Sequence, residues 1–433
     1  MSESIGARLA RLAYSAVLVL IAPLYAVRVL WRGRREPLYA EHLGERFGVY
    51  RTPSPGGALW IHAVSLGETR AAGALIAALR TAVPGLRIVL TNGTATGRAA
   101  ARELVRDGDE QAWLPVDTPG AVRRFLRHFR PRAGVLMETE IWPNLLAEAR
   151  ATRLPVVLAN ARLSERSRRR GQRVDLVMRP AFASLALVLA QSDADARRLM
   201  EAGVTDVRIV GNLKFDMAPD PALQDLGRRW KEVASRPVVL AAITREGEEA
   251  LLLAAWRGVA EPRPLLAIVP RHPQRFEAVA ELVVAAGFTL VRRSTWQSMP
   301  PMTAAAADVW LGDSMMEMAA YYALADIALL GGSFLPLGGQ NLIEAAACGC
   351  PVVMGPHTFN FADAAALSLA AGASLRVETM SDGVAVAVSE LGSVALARQA
   401  EAARSFAASH QGAAARSAAV IAALVKPEGA RAA

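Results

Sequence analysis

From residue 58 onward, short apolar runs alternate with stretches whose apolar positions recur every three or four residues. The runs at 58–63, 87–90, 134–137, 156–159, 185–190 and 207–210 read as strands. The stretches at 68–82, 94–105 and 143–151 read as helices. Residues 217–236 cross to a second series, with strands at 238–242, 265–269, 309–312, 327–330 and 352–354 and helices between them. The tail from residue 381 is alanine-rich and helical. Strands that are apolar throughout, flanked by amphipathic helices, predict parallel sheets covered on both faces. At 433 residues the chain is too long for one core. Two doubly wound α/β domains in tandem are expected, with a ligand cleft at the C-terminal edges of their strands.

The N-terminal pattern is different. Residues 12–27 are apolar and uncharged, with Pro23 inside, and Val29, Leu30 and Trp31 extend the run beyond Arg28. The uncharged part is shorter than the ~20 residues of a spanning helix. Arg28 can snorkel and Trp31 suits a membrane boundary. A spanning anchor, a helix lying in the interface and a buried core helix all remain open. Arg32, Arg34 and Arg35 place the chain beyond them on the cytoplasmic side. Residues 51–57 (RTPSPGG) read as a linker.

The densest loop signal is at 331–356, GGSFLPLGGQNLIEAAACGCPVVMGP. It reads as strand, glycine-rich loop, helix start, strand. Asn341 is placed to cap a helix over 342–348. Such a loop aims unpaired N–H groups and a positive helix end at an anion, usually phosphate. Glu344, in the first helical turn, can reach a ligand's hydroxyls and favours a nucleotide-sugar site. A plain βα turn is the alternative.

Charge and composition narrow the partners. The net charge of +9 is almost all arginine, since lysine stands only at 214, 231 and 426. An anionic partner fits: a membrane surface, a phosphorylated substrate or nucleic acid. The basic run 161–173 has no interleaved aromatics, which disfavours nucleic acid. It suits either an anionic surface or solvent. Cys348 and Cys350 form neither a disulfide framework nor a zinc site and read as buried small residues.

Several strand ends carry chemistry. Glu68 follows the first strand in HAVSLGE and can act as a general base for sugar transfer to an alcohol, or only compensate a helix dipole. Glu138 and Glu140 follow another strand in METEIWPN. Lys214, in GNLKFD, can stabilise a leaving phosphate. Arg271, in PRHPQRF, offers a planar fork to phosphate. The GDSMME run at 312–317 opens a helix that can meet a nucleotide. Asp107/Asp109 and Asp193/Asp195 have D-x-D spacing but read as a surface loop and a helix start, so no metal site is expected.

Taken in order, HAVSLGE, METEIWPN, ANARLS, GNLKFD, EGEE, PRHPQRF, GDSMME, GGQNLIEA and MGPHTFNF resemble the Kdo (3-deoxy-D-manno-octulosonic acid) transferases of lipid A biosynthesis. The resemblance spans residues 12–361. It implies a GT-B architecture: two Rossmann-like doubly wound domains facing a cleft, with an N-terminal membrane-anchor helix. It implies an anchor at 1–35, an acceptor-binding domain at 36–216, and a CMP-sugar-binding domain with a helical tail at 217–433. It further implies a CMP-Kdo donor, a lipid A precursor (lipid IVA) as acceptor, inversion without metal or other cofactor, and a place at the cytoplasmic face of the inner membrane, on its anionic surface. Carried over by position, Glu68 is the catalytic base, and Glu138 and Lys214 support the transition state. Pro270, Arg271, Met315, Met316, Glu317, Asn341, Leu342, Ile343 and Glu344 bind CMP. The family pattern has Gly at Met316, His at Gln340, Pro at Leu342 and His at Arg245. A GT-B enzyme using a UDP-sugar and a non-catalytic membrane-docked binding protein are the rival readings.

Overall fold

The computed structural model describes residues 4–425 and divides into two compact units. The first runs to Met217 and takes in the chain from Gln411; the second is Ala218–His410. The first unit holds β1 (Leu59–His62), β2 (Ile88–Asn92), β3 (Glu110–Trp113), β4 (Ala133–Met137), β5 (Val156–Ala161), β6 (Leu187–Ala190) and β7 (Val207–Ile209). They form one parallel seven-stranded sheet in the order β3-β2-β1-β4-β5-β6-β7. The second unit holds β8 (Val238–Thr244), β9 (Leu265–Pro270), β10 (Leu290–Arg292), β11 (Val309–Leu311), β12 (Ile327–Leu330), β13 (Val352–Met354) and β14 (Ser374–Arg376). Its parallel sheet has the order β10-β11-β9-β8-β12-β13-β14. The first sheet has its switch point between β1 and β4; the second, in which β11 inserts between β9 and β10, has it between β8 and β12. Loops leaving the C-terminal ends of those strands diverge there and leave room for a ligand.

The central strands are apolar throughout because both faces are packed. Trp60, Val89, Leu136, Leu158 and Val188 point to one core of the first sheet, and Ile61, Leu90, Val135, Val157 and Leu189 to the other. Four strands lack this pattern. β3 begins with Glu110 and Gln111, and β7, β10 and β14 are three-residue edge strands, of which only β7 is marked in the sequence, by Val207, Ile209 and Val210. An edge strand needs neither two apolar faces nor length, so periodicity need not mark it.

The C-terminal helix Ala413–Val425 corrects the expected domain division, which kept the whole tail with the second domain. Its Ala414, Ala418, Ile421 and Val425 enter a core of the first unit, beneath helix α2 (Leu66–Ala82). Its start is tied there by Asp216, whose carboxylate accepts the Gly412 and Ala414 N–H groups at 2.5 and 2.6 Å. An alanine-rich amphipathic helix shows that it needs a partner face; it does not show which.

The N-terminal helix Ile5–Gly33, here α1, has 29 residues and is long and apolar enough to cross a membrane by length and composition. Its sidedness is inverted relative to a helix on a soluble core. The side against the first unit carries mostly small residues, Ala7, Ser15, Ala22, Ala26 and Gly33, with Tyr25 and the buried Val29 packing near Tyr39, whereas Leu9, Leu12, Leu24 and Leu20, the last 77% exposed, point away. Polar contacts seat it along its length. Tyr14 Oη donates to Asp117 Oδ2 at 3.0 Å, and Ser15 Oγ to Asn144 Oδ1 at 2.9 Å. Arg46 donates to Tyr25 Oη at 2.8 Å. Asp117 also accepts the Asn144 and Leu145 N–H groups, so one buried carboxylate joins α1 to the helix Pro143–Ala151.

Candidate active site

Glu68 enters α2 at the third position after Ser65, which caps the helix. Its Oε2 accepts the Val64 N–H at 2.8 Å and its Oε1 accepts the Ser65 hydroxyl at 3.0 Å. The carboxylate thus reaches the N–H one residue before the cap, where a capping box would use the cap's own, and the helix-end role is realised. A carboxylate has lone pairs to spare for a second role. Burial raises the Glu68 pKa and the nearby Glu138 adds to it, against the Val64 amide, the Ser65 hydroxyl and Lys214. A more basic carboxylate is a better general base.

Glu138 leaves the end of β4, the strand beside β1. It is 5% exposed and has a left-handed φ of +57°, a conformation that costs a non-glycine residue about 1–2 kcal/mol. Its carboxylate pairs with Lys214 Nζ at 2.7 Å and Arg162 Nε at 3.1 Å. Burial works against ionisation there, but Lys214 and Arg162 outweigh it and hold the carboxyl below its ordinary value. The structure thus brings Glu138 and Lys214 into contact and sets Glu68 within their electrostatic reach. Lys214 lies in the short turn Leu213–Asp216. Asn160 Oδ1 accepts the Leu213 N–H at 2.9 Å, and Asn212 Oδ1 accepts the Lys214 N–H at 2.9 Å.

Arg162 and Asn160 do not stand out as site residues in the sequence, although both belong to ANARLS. Asn160 is buried inside a strand at φ +52°, where β5 loses register with β6. An asparagine at the end of an apolar strand is the available signal, since Asn is depleted in strands and tolerates that conformation.

Glu140 adds a third carboxylate. Burial, then the neighbouring Glu68, pushes its pKa up to about 7. The folded protein therefore keeps this proton where the unfolded chain, at the ordinary 4.5, has released it. The folded state binds more protons between those limits, so this stabilisation, full below 4.5, is lost as pH rises through about 7. Glu140→Gln is expected to leave stability unchanged near pH 4 and raise it by about 2 kcal/mol near pH 8, in denaturant titrations at both pH values. Equal effects at both pH values would contradict the raised pKa.

In the second unit the glycine-rich loop is held from below. Glu248, fully buried, accepts the Gly332 N–H at 2.7 Å, the Arg245 N–H at 2.9 Å and the Phe334 N–H at 3.2 Å. The Gly331 N–H is bonded to Ala242 O. The Gly331 and Gly332 amides are thus engaged within the protein, which corrects the expectation that they face an anion, and through Gly332 and Phe334 the EGEE carboxylate ties the end of β8 to the end of β12 across the switch point. The following helix is Ile343–Ala347, shorter than expected, and Asn341 Oδ1 accepts the Ile343 N–H at 3.1 Å. Glu344 is in its first turn, while Leu342 and Ile343 are buried in the core, so their side chains face no ligand.

Cationic groups gather at the same edge. Pro270 ends β9, and the Arg271 N–H bonds to Thr244 O at 2.9 Å. His272 is pushed down by burial and then by Arg245 and Arg271 together. Two departures from the family pattern meet here. A Cβ on Gly332 would lie 3.1 Å from Gln340 Nε2 and 3.6 Å from Arg245 Cγ, so both side chains cover that glycine. The 315–317 segment precedes its helix, Met318–Leu324, instead of opening it. Glu317 is taken by Arg293, at 2.7 and 3.0 Å. Met316, 47% exposed, has φ +69°, where the family's glycine would rest without strain. Met316→Gly is expected to stabilise the protein by about 0.5–1 kcal/mol, the relieved strain less the flexibility gained on unfolding. A lowered melting temperature would show that the methionine side chain holds the segment.

The remaining candidates are structural. Asp109 accepts the Ile88 and Arg106 N–H groups and pairs with Arg80, and the buried Asp195 accepts the Leu163 N–H. Burial pushes the Cys348 thiol up to about 12. The helix Glu165–Gln172 in the basic run buries none of its residues.

A family profile described as 3-deoxy-D-manno-octulosonic-acid transferase (kdotransferase) matches residues 41–217. The chain is 46% identical over 417 residues to the 3-deoxy-D-manno-octulosonic acid transferase of Bordetella pertussis, covering 92% of this chain and 96% of that one. It is 34% identical over 391 residues to the enzyme of that name from Haemophilus influenzae, covering 88% and 90%. Among solved structures, a glycosyltransferase from Rickettsia africae matches with a TM-score of 0.56 at 14% identity, over 85% of this chain and 98% of that one, a likeness of fold.

Proposed function

The chain belongs to the 3-deoxy-D-manno-octulosonic acid transferase family of glycosyltransferases, and on that premise we propose that it transfers Kdo from CMP-Kdo to lipid IVA with inversion. The observation that carries the residue assignment is the cluster of Glu68, Glu138 and Lys214 at the C-terminal edge of the first sheet. Glu68 takes the proton of the acceptor hydroxyl. The oxygen of that hydroxyl forms the new bond to the anomeric carbon from one face while the bond to the CMP phosphate breaks on the other. Lys214 and Arg162, centred on Glu138, supply positive potential for the charge that develops. Arg271 and the Asn341–Glu344 turn are assigned to CMP, Glu344 through its carboxylate and Met315, Met316 and Leu342 through their backbone. A leaving group with a single phosphate has little need of a metal ion.

The same reading puts the enzyme at the cytoplasmic face of the inner membrane, with α1 lying in the membrane plane. Support comes from the helix itself. It packs on the first unit along its length of about 43 Å, at ~1.5 Å per residue. A docked helix cannot cross ~30 Å of hydrocarbon without carrying Asp117 and Arg46 in with it. Its outward leucines and its terminal arginines suit the interface.

The test is product mass after incubating the protein with CMP-Kdo and lipid IVA, with EDTA in a parallel reaction. Mass gain in Kdo units, unchanged by EDTA, is the expected result. No gain from folded, lipid-bound protein, with protection against heat by UDP but not CMP, would replace the donor.

A further inference from the structure

We propose that the hollow between α1 and the helices Pro143–Ala151 and Asp175–Phe182 binds the phosphate group of a membrane phospholipid. The inference rests on the in-plane reading of α1. The cavity has a volume of about 490 Å³. Arg8 and Arg11 enter it from α1 and Arg150 from the last turn of Pro143–Ala151. Ala147, Val177 and Pro180 make up much of its remaining wall, and none of the described residues lining it is acidic. Arg11 also faces the buried Asp117, and it helps hold that carboxylate ionised against burial. Three guanidinium groups from two separate elements, over an apolar wall, match a phosphodiester with acyl chains attached.

The surroundings favour a lipid over a free ion. The hollow opens beside the helix whose outer side is lined with exposed leucines, and Val174 and Leu176, at 53% and 62% exposure, stand at the start of the third helix, next to its lining residue Val177. The hollow begins at Pro143, just after the loop that carries Glu138 and Glu140, and its Arg150 lies about 10 Å farther along the helix at ~1.5 Å per residue. The occupant is a bilayer phospholipid that seats the first unit.

The experiment is flotation of the full chain with phosphatidylcholine vesicles, with and without phosphatidylglycerol. Wild-type protein is expected to float with both and to bind the anionic vesicles more tightly. Arg8→Gln and Arg150→Gln should each lose about fivefold on anionic vesicles and little on neutral ones. Arg398→Gln, an exposed charge in the second unit, removes the same charge and should lose less than about twofold. Equal losses in all three variants would overturn the site in favour of diffuse charge. Inorganic phosphate that stabilises wild type but not Arg150→Gln, with no gain from phosphatidylglycerol, would overturn the lipid source. Wild type floating with both vesicles alike, unchanged by Arg150→Gln, would remove the site and leave the in-plane helix. Wild type floating with neither would remove both.

Discussion

Glu68→Gln is expected to lower turnover about a thousandfold while costing no more than about 1 kcal/mol of stability. The two figures separate two roles that share one side chain. As a cap, Glu68 needs an oxygen that can accept the Val64 N–H, and glutamine supplies one. The Ser65 hydroxyl, which now donates to the other oxygen, can turn to accept from the new amide. As a base, Glu68 needs a lone pair that can take a proton at neutral pH, and an amide has none. A change in kcat with KM nearly unchanged is therefore expected, since the group acts on the proton and not on ground-state binding. The burial that lifts the Glu68 pKa should also move the acid limb of the wild-type profile above the ordinary carboxylate range. Turnover retained to within about fivefold, with a clear fall in melting temperature, would make Glu68 a cap alone and end its assignment as base.

The sequence shows the sheets and hides what fastens them. Central strands such as β4, β8 and β12 are legible because a parallel strand covered on both faces must be apolar throughout. Glu68 and Glu138 are legible for a related reason: each is a charged residue placed just beyond an apolar strand, where packing does not ask for charge, and Lys214 is legible as one of three lysines, placed where the two series of elements join. Glu248 is different. It meets the Gly332 amide from 84 residues away in sequence, and such a bond leaves no period and no local composition. Asp216 meets Gly412 and Ala414 from farther still, so the tail's place in the first unit could not be read. Arg162 is hidden by company, because it opens a run of arginines whose other members lie on an unburied helix, some of them paired with Glu165 or Glu201. What distinguishes it is that its carboxylate partner is the buried Glu138, which only the fold supplies.

Lys214→Ala is expected to destabilise the first unit by about 3 kcal/mol at neutral pH, more than an exposed pair would cost, because it leaves a buried carboxylate behind. Glu138 would retain only Arg162, whose side chain is 42% exposed and spends much of its charge on water. Burial would then go largely unopposed, and the Glu138 pKa should rise instead of falling. The sign of the pH dependence comes from that reversal. In the wild type the depressed Glu138 pKa contributes stability above the ordinary value of 4.5, which is lost as pH falls through the lower folded value. In the variant a raised pKa costs stability as pH climbs from 4.5, so the gap between the two proteins should be small near pH 4 and widest near pH 7. Denaturant titrations at both pH values measure it. Glu138→Gln combined with Lys214→Met should recover stability to within about 1 kcal/mol, since neither charge is then buried, yet should remain inactive. That recovery without activity would mean that the charged pair, together with the left-handed backbone at Glu138, is maintained at the expense of stability and for the reaction. A Lys214→Ala protein as stable as wild type at both pH values would show that Glu138 never depended on it. The transition-state role would then have to be sought at Arg162.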